Sequence, residues 1–177
     1  MRAICNYLVA SVLLLLAGAV SGFAQEQVAR VEVFVGYAYI RADTSQRPVD
    51  LNGWTVSLEG NLNPVLALVA DFDGAYGNQL DERVSSHSAL FGPRFMARPN
   101  WMEPFAHALF GVVRDLEAGD VQFGFGMTLG GGLDYDVNRR ISLRLAQADY
   151  EHSRVSEFKH NNFRFAAGVV LKFGELK

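Results

Sequence analysis

Hydrophobic and polar residues alternate with a period of two along most of the chain after residue 30. In the first such segment, Val31–Tyr39, every second residue is apolar and bulky. The same alternation recurs around residues 54–62, 66–73, 122–135 and 163–173. Successive side chains of a β-strand point to opposite faces, so this period predicts strands. A helical period of 3.6 residues is absent from the sequence after the first 25 residues.

The alternation predicts eight antiparallel strands joined in an up-and-down order. We place them near 30–41, 51–62, 65–76, 85–97, 104–114, 121–136, 141–151 and 162–173. Segments of about 10 residues are long enough to cross a bilayer as tilted strands. The longer polar connections follow strands 1, 3, 5 and 7, at Ala42–Asp50, Gly77–Val84, Asp115–Asp120 and His152–Asn161. Shorter ones follow strands 2, 4 and 6, at Asn63-Pro64, Arg98–Glu103 and Val137–Arg140. Long loops at one end and short turns at the other are typical of outer-membrane barrels.

Period alone does not separate a membrane barrel from a soluble one, which turns its apolar face inward. Residue size favours the membrane barrel, because the polar face of the sixth segment is built from small residues such as Gly124, Gly126 and Thr128. The opposite face is bulky. Aromatic residues fall near both ends of the strands, as expected for two interfacial girdles. They are Tyr37, Tyr39, Trp54, Tyr76, Tyr150 and Phe163 at the loop ends, and Trp101, Phe105, Tyr135 and Phe173 at the turn ends. Pro93 cannot donate to a strand ladder, so we expect a bulge or a missing bond there.

The first 24 residues have the pattern of a secretory signal peptide. Arg2 precedes the apolar run Leu8–Val20, and small residues follow, with cleavage predicted after Ala24. The run is too short for a transmembrane anchor. Cys5 lies within this segment, so residues 25–177, which we take as the barrel domain, contain no cysteine.

Composition narrows the class of protein further. Half of the residues are hydrophobic, 20% are charged and the net charge is −3, which excludes a disordered chain. Mean hydropathy is +0.09, too low for a bundle of membrane-spanning helices. A mildly acidic chain also argues against nucleic acid as a partner.

Several short stretches resemble a known family, the small outer-membrane β-barrel proteins of the OmpA/OmpX type, in its acidobacterial-type members. The resemblance covers about 30–174 and rests on Asn52-Gly53-Trp54, Leu68–Gly74, Phe91–Phe95, Pro104–Gly111, Gly130–Asp134, Gln147–Tyr150 and Asn161–Arg164. It implies the outer membrane of a Gram-negative-type bacterium, and it implies no enzymatic activity, cofactor or catalytic residue. The last strand, ending at Phe173, resembles the signal read by the barrel-assembly machinery, although Gly174–Lys177 follow it.

The polar face carries charges of both signs, and a buried unpaired charge is costly. We therefore expect an ion-pair plug inside the barrel, and a gated ion path through the same pairs is the alternative. The expected set is Glu32, Glu59, Asp71, Asp73, Asp134, Arg94, Arg144, Arg164 and Lys172. His107 is expected to pack in the lumen. His87, His152 and His160 have no metal-ligand spacing, so we predict no metal site.

One group of residues requires an enzymatic alternative to be considered. Asp149, Glu151, His152 and Ser153 are close in sequence, and an eight-stranded lipid A deacylase uses His, Ser and an acid on its wall. Adjacent His152 and Ser153 would point to opposite faces of a strand, which argues against that chemistry.

The sequence thus predicts a non-enzymatic barrel with a structural or surface-interaction role, with a narrow porin-like channel as the alternative. Its expected partners are outer-membrane lipids, the assembly machinery and an unidentified ligand of the loops, and we expect a monomer. The charged residues available in the first and fourth loops are Arg41, Asp43, Arg47, Asp50, Glu151, Arg154, Glu157 and Lys159.

Overall fold

The computed structural model describes residues 28–43, 49–79, 82–117, 120–155 and 158–176. The predicted signal peptide, its cleavage after Ala24 and Cys5 lie outside these residues. So do Arg47 and Glu157 of the predicted loops. The side chains of Asp43, Arg154, Lys159 and His160 also lie outside the described part.

The chain forms a closed antiparallel barrel in which each strand pairs with its neighbours in sequence and β8 pairs with β1. The strands are β1 (Val31–Asp43), β2 (Val49–Asn61), β3 (Leu66–Gln79), β4 (Glu82–Met96), β5 (Met102–Glu117), β6 (Asp120–Asn138), β7 (Ile141–Val155) and β8 (Phe158–Phe173). All eight predicted strands are therefore confirmed in their order and place. Among the described residues, no helix is both long and apolar enough to cross a membrane.

Three of the four connections predicted to be long loops are largely strand, which corrects the sequence prediction. β3 continues to Gln79 and β4 begins at Glu82, where a loop from Gly77 to Val84 was expected. The β5–β6 and β7–β8 hairpins are extended in the same way, and β1 and β2 each reach two residues into the predicted loop Ala42–Asp50. Hydrogen bonding between neighbouring strands does not require apolar side chains, so the ladders continue past the point where the apolar alternation stops.

The first and the last described residues of the chain lie at the opposite end of the barrel, which we call the turn end. Val31 pairs with Phe173, and the amide of Arg30 donates to the carbonyl of Phe173 over 3.1 Å. Beyond the last strand, the amide of Leu176 donates to the carbonyl of Val28 over 2.8 Å. The residues after Phe173 thus extend the contact between the first and last strands.

The bulky apolar side chains of each strand lie on the outer surface of the barrel, as predicted. On β8, Phe163, Phe165 and Phe173 are each about half exposed, whereas the intervening Arg164 is fully buried. The predicted girdle residues Trp54, Tyr76 and their neighbours share this outward orientation. The exposed large residues include Tyr37, Trp54, Phe72, Tyr76, Phe91, Phe95, Trp101, Phe110, Phe123, Phe125, Leu129, Tyr150, Phe163, Phe165 and Phe173.

Phe105 is the exception among the predicted girdle residues. It is 7% exposed and lies in the interior, so its assignment to the turn-end girdle was wrong. The less regular alternation of β5 explains the error, because this strand turns Phe105, His107 and Leu109 inward. The interior is consequently not filled by small residues alone, since Phe34 and Leu109 are also buried there.

Two of the local irregularities in the barrel wall bear on the sequence predictions. In β7 the register shifts between Arg144 and Gln147 against both neighbouring strands, which leaves Leu145 and Ala146 exposed in succession. Such a bulge changes which face the following residues occupy. At Pro93 the β4–β5 pairing is interrupted, but the register is the same on both sides of the interruption. Of the two predicted alternatives, the structure therefore contains the missing bond and not the bulge.

Candidate functional site

The interior of the barrel holds the charged residues that the sequence predicted to be there. The nine predicted residues are each at most 9% exposed, and ten ion pairs join them to one another and to further interior groups. The further ion-pair partners, which the sequence did not assign to this network, are Arg98, Glu103, Asp136, Asp149 and Glu151. The prediction of a charged interior is confirmed and extended.

The sequence did not assign these further residues to the interior for reasons that the structure identifies. Asp149 and Glu151 follow the β7 bulge, which brings an otherwise outward series to the inner face. Arg98 lies after β4 in a connection, where strand alternation gives no orientation. After position 146, polar residues occupy the positions where the alternation calls for apolar ones. This could have indicated the change of face, because polar side chains are not expected on a lipid-facing wall.

Arg164 on β8 is the centre of the largest charge cluster, which we call the Arg164 cluster. Its guanidinium contacts Asp71 at 2.7 Å and Asp73 at 2.8 Å, both on β3. It also contacts Asp149 at 2.9 Å and Glu151 at 3.2 Å, both on β7. These bonds span the lumen, because β3 is not adjacent to β8 in the barrel.

Further polar side chains complete the contacts of these carboxylates. Ser57 donates to Asp71 over 2.6 Å, and Gln147 donates to Asp149 over 2.7 Å. His107 Nε2 lies 2.9 Å from Asp149 Oδ1. The prediction that His107 packs in the lumen is therefore confirmed, and its partner is Asp149.

A second cluster lies around Arg94 and Arg144 and carries balanced charge. Arg94 bonds Glu59 on β2 and reaches Asp134 on β6 over 2.6 Å. Arg144 donates to the same Asp134 through Nε over 2.8 Å and through Nη2 over 2.9 Å. Paired, geometrically fixed arginine–carboxylate contacts of this kind are the strong ones.

Two phenylalanines support this cluster from the interior wall. The guanidinium of Arg94 lies 3.7 Å from the ring centroid of Phe105, and that of Arg144 lies 4.1 Å from Phe34 and 4.5 Å from Phe105. Desolvated arginine–aromatic contacts contribute up to about 2 kcal/mol each. The inward position of Phe105 thus has a physical reason.

The third cluster lies at the turn end and borders a cavity of about 720 Å³. Lys172 contacts Glu103 at 3.0 Å and Asp136 at 2.5 Å, while Arg98 contacts Glu103 at 3.5 Å. Trp101 also lines the cavity. The lumen therefore contains unfilled space at this end, and the Arg164 cluster lies farther toward the loop end.

Negative charge predominates in the interior of the described part. The ion pairs bring five cations, Arg94, Arg98, Arg144, Arg164 and Lys172, against nine carboxylates. The excess is greatest around Arg164, which faces four acids. Small cations are favoured over anions in such an environment.

The group of residues that suggested an enzyme does not assemble into one. Ser153 is 7% exposed and faces the interior, whereas His152 faces outward, where its Nδ1 lies 2.8 Å from Asn161 Oδ1. Asp149 is bonded to Arg164 in the lumen. A nucleophile and its base must be within hydrogen-bond reach, and His152 and Ser153 are on opposite faces.

Histidines do not converge on a metal site in the described part of the chain. His87 lies on β4, where Nε2 is 3.1 Å from the hydroxyl of Tyr76, and His152 lies on β7. Within the described ranges, no three His, Cys, Asp or Glu side chains are arranged to hold a metal ion.

Comparisons with known proteins agree with this geometry. A family model described as "Outer membrane protein beta-barrel domain" matches residues 10–173. Among solved structures, the chain is similar to Neisserial surface protein A, with 18% identity, 84% of this chain and 100% of that chain covered, and a TM-score of 0.68. No curated protein sequence matches the chain.

Two further structures share the fold. The attachment invasion locus protein Ail of Yersinia pestis is 17% identical, with 81% of this chain and 99% of that chain covered and a TM-score of 0.55. The N-terminal β-barrel domain of Pseudomonas aeruginosa OprF is 14% identical, with 83% and 100% covered and a TM-score of 0.54.

Proposed function

Since the chain belongs to the outer membrane protein β-barrel domain family, we propose that it is a surface protein whose interior is closed by ion pairs. Its role in this proposal is structural or interactive. The barrel fixes four extended hairpins at the loop end, which faces the outside of the cell. Specificity for a ligand, host partner or envelope component resides in the tips of those hairpins.

The observation that carries this proposal is the set of bonds that cross the lumen through Arg164. This residue connects β8 to β3 and β7 with distances of 2.7–3.2 Å. Opening a path for ions past this point would leave at least one buried charge without a partner, which is strongly unfavourable. A closed barrel with a scaffold role follows more directly from this geometry than a pore does.

The conductance of the purified barrel tests this proposal. In a planar bilayer, the folded protein is expected to give no steady ion current, because the Arg164 cluster blocks the lumen. Insertion is checked independently by flotation with vesicles and by the mobility shift of the folded barrel on heating. A steady current from inserted, heat-modifiable protein would overturn the proposed plug.

A narrow ion channel is the second candidate, and two observations favour it. The turn-end cavity of about 720 Å³ is large enough to hold water, and the excess of carboxylates would attract cations. If the bilayer experiment gives current, the channel hypothesis predicts selectivity for potassium over chloride. A reversal potential that indicates anion preference would contradict it.

An enzymatic role is not part of the proposal, since the candidate catalytic side chains lie on opposite faces of the wall. The partners proposed are the lipids of the outer membrane around the apolar band and the assembly machinery during folding. The protein is proposed to act as a monomer, because ring closure between β1 and β8 leaves no strand edge for a second copy.

A further inference from the structure

The outer wall of β4 and β5 near the loop end carries a cation, Arg114, that has no ion pair with the residues the structure describes and lies beside exposed aromatic rings. We propose that this surface binds the phosphate groups of a glycolipid of the lipid A type. We call it the phosphate patch and define it as Tyr76, His87, Arg114 and Phe123. The inference rests on the proposed function, which places the barrel in the outer membrane with the loop end outward.

Strand geometry places these side chains side by side on the outside. Val113 is 9% exposed and faces the interior, so its neighbour Arg114 faces outward. Arg114 is the cross-strand partner of His87 on β4 and of Phe123 on β6. Directly opposed residues of antiparallel strands lie about 5 Å apart at Cα, so the three form one continuous surface.

Arg114 differs from the interior arginines because its charge is uncompensated. In the described part of the chain it has no ion pair or hydrogen bond, whereas Arg94, Arg144 and Arg164 each contact carboxylates. Its guanidinium presents five donors in a planar fork that matches phosphate oxygens. A partner from outside the chain would satisfy these donors.

The height of Arg114 on the barrel fits a headgroup phosphate. It lies about 12 residues along β5 from Met102. At about 3.3 Å per residue and a tilt of about 40°, this is roughly 30 Å along the membrane normal. The apolar band of such barrels is about 25 Å tall, so Arg114 lies just beyond the hydrocarbon, where lipid phosphates are.

The neighbours of Arg114 suit a phosphorylated glycolipid. Phe123 is 65% exposed and Tyr76 is 49% exposed, so both offer flat faces to a sugar ring or to acyl chains. The hydroxyl of Tyr76 and Nε2 of His87 are 3.1 Å apart, and their rings pack edge-on with centroids 5.5 Å apart, so the imidazole links Tyr76 to the guanidinium of the patch.

Native mass spectrometry of the full detergent-solubilised barrel tests the proposal, with lipid A and a lipid A lacking both phosphates as probes. The wild-type protein is expected to retain lipid A and to bind the phosphate-free form about tenfold more weakly. The variant Arg114→Gln is expected to lose about tenfold in affinity for lipid A. Equal binding of both probes by the wild type would overturn the proposal.

Arg41→Gln is the matched control, because Arg41 is also exposed at the loop end but has Asp50 as its cross-strand partner. Its affinity for lipid A is expected to remain within twofold of the wild type. Equal losses of lipid A affinity in both variants would show that binding depends on the overall surface charge, and this would also overturn the proposed site. Heat-modifiability of each variant separates a failed lipid site from a failed barrel, which would instead contradict the proposed function.

Discussion

Replacing Arg164 with glutamine is expected to destabilise the barrel by about 3–5 kcal/mol, because the change leaves Asp71, Asp73, Asp149 and Glu151 buried around a neutral side chain. The measurement is urea-induced unfolding in phospholipid vesicles at neutral pH. Protonation of the four acids removes their mutual repulsion, so the deficit relative to wild type should shrink at acidic pH.

Arg140→Gln provides the control for this substitution. Arg140 is an exposed arginine on the β6–β7 turn, and surface substitutions usually change stability by no more than about 0.5 kcal/mol. An Arg164→Gln barrel as stable as the Arg140→Gln barrel would contradict the buried network. A deficit that grows on acidification would contradict the charge-repulsion mechanism.

Introducing arginine at Leu129 is expected to cost about 2–4 kcal/mol, the range for a basic side chain facing lipid near the middle of the bilayer. Leu129 is 48% exposed on the outer wall of β6 and is the cross-strand partner of Ala108, which lies about halfway along the membrane-crossing part of β5. The same unfolding assay in vesicles measures the loss. A soluble barrel would tolerate an exposed arginine at this position.

The matched substitution is Val121→Arg, near the loop end of β6. Val121 is 45% exposed, similar to Leu129 on the same strand, but it lies one residue into its strand. Close to the membrane surface the cost of an arginine falls to about 0–1 kcal/mol. Equal costs at the two positions would show that depth in the membrane is not what sets them.

The alternation of residues was sufficient to predict the barrel, its strand order and most of the interior. Bulky apolar and small or charged residues occupy opposite faces so consistently in β2, β3 and β8 that each side chain could be assigned. Glu59, Asp71 and Arg164 lie where the sequence places them, since every second residue in a closed sheet must face the lumen.

The prediction was wrong where a local feature alters the alternation or where both faces are apolar. The bulge after Arg144 moved Asp149 to the interior, and sequence period cannot locate a bulge. In β5, both Phe105 and Phe110 are large and apolar, so hydropathy could not tell which one faces inward. The length of the hairpins was missed because polar residues extend a ladder as well as apolar ones do.

Which charged residues of the interior contact one another could not be predicted from the sequence either. Arg164 and Asp71 are joined across the lumen by a 2.7 Å contact, and β3 and β8 are not adjacent in the barrel. Pairings between non-adjacent strands depend on the diameter and stagger of the closed barrel. Those quantities follow from the register of all eight strands together.

Tryptophan fluorescence tests most directly whether the outward apolar surface contacts lipid. The chain has two tryptophans: Trp54, 43% exposed, faces outward from β2, whereas Trp101, 56% exposed, lies in the turn between β4 and β5. In a Trp101→Phe variant placed in vesicles whose lipids carry bromine on their acyl chains, strong quenching of the Trp54 emission is expected, with little quenching by aqueous acrylamide. Emission that brominated lipids leave unchanged and acrylamide quenches would contradict the account.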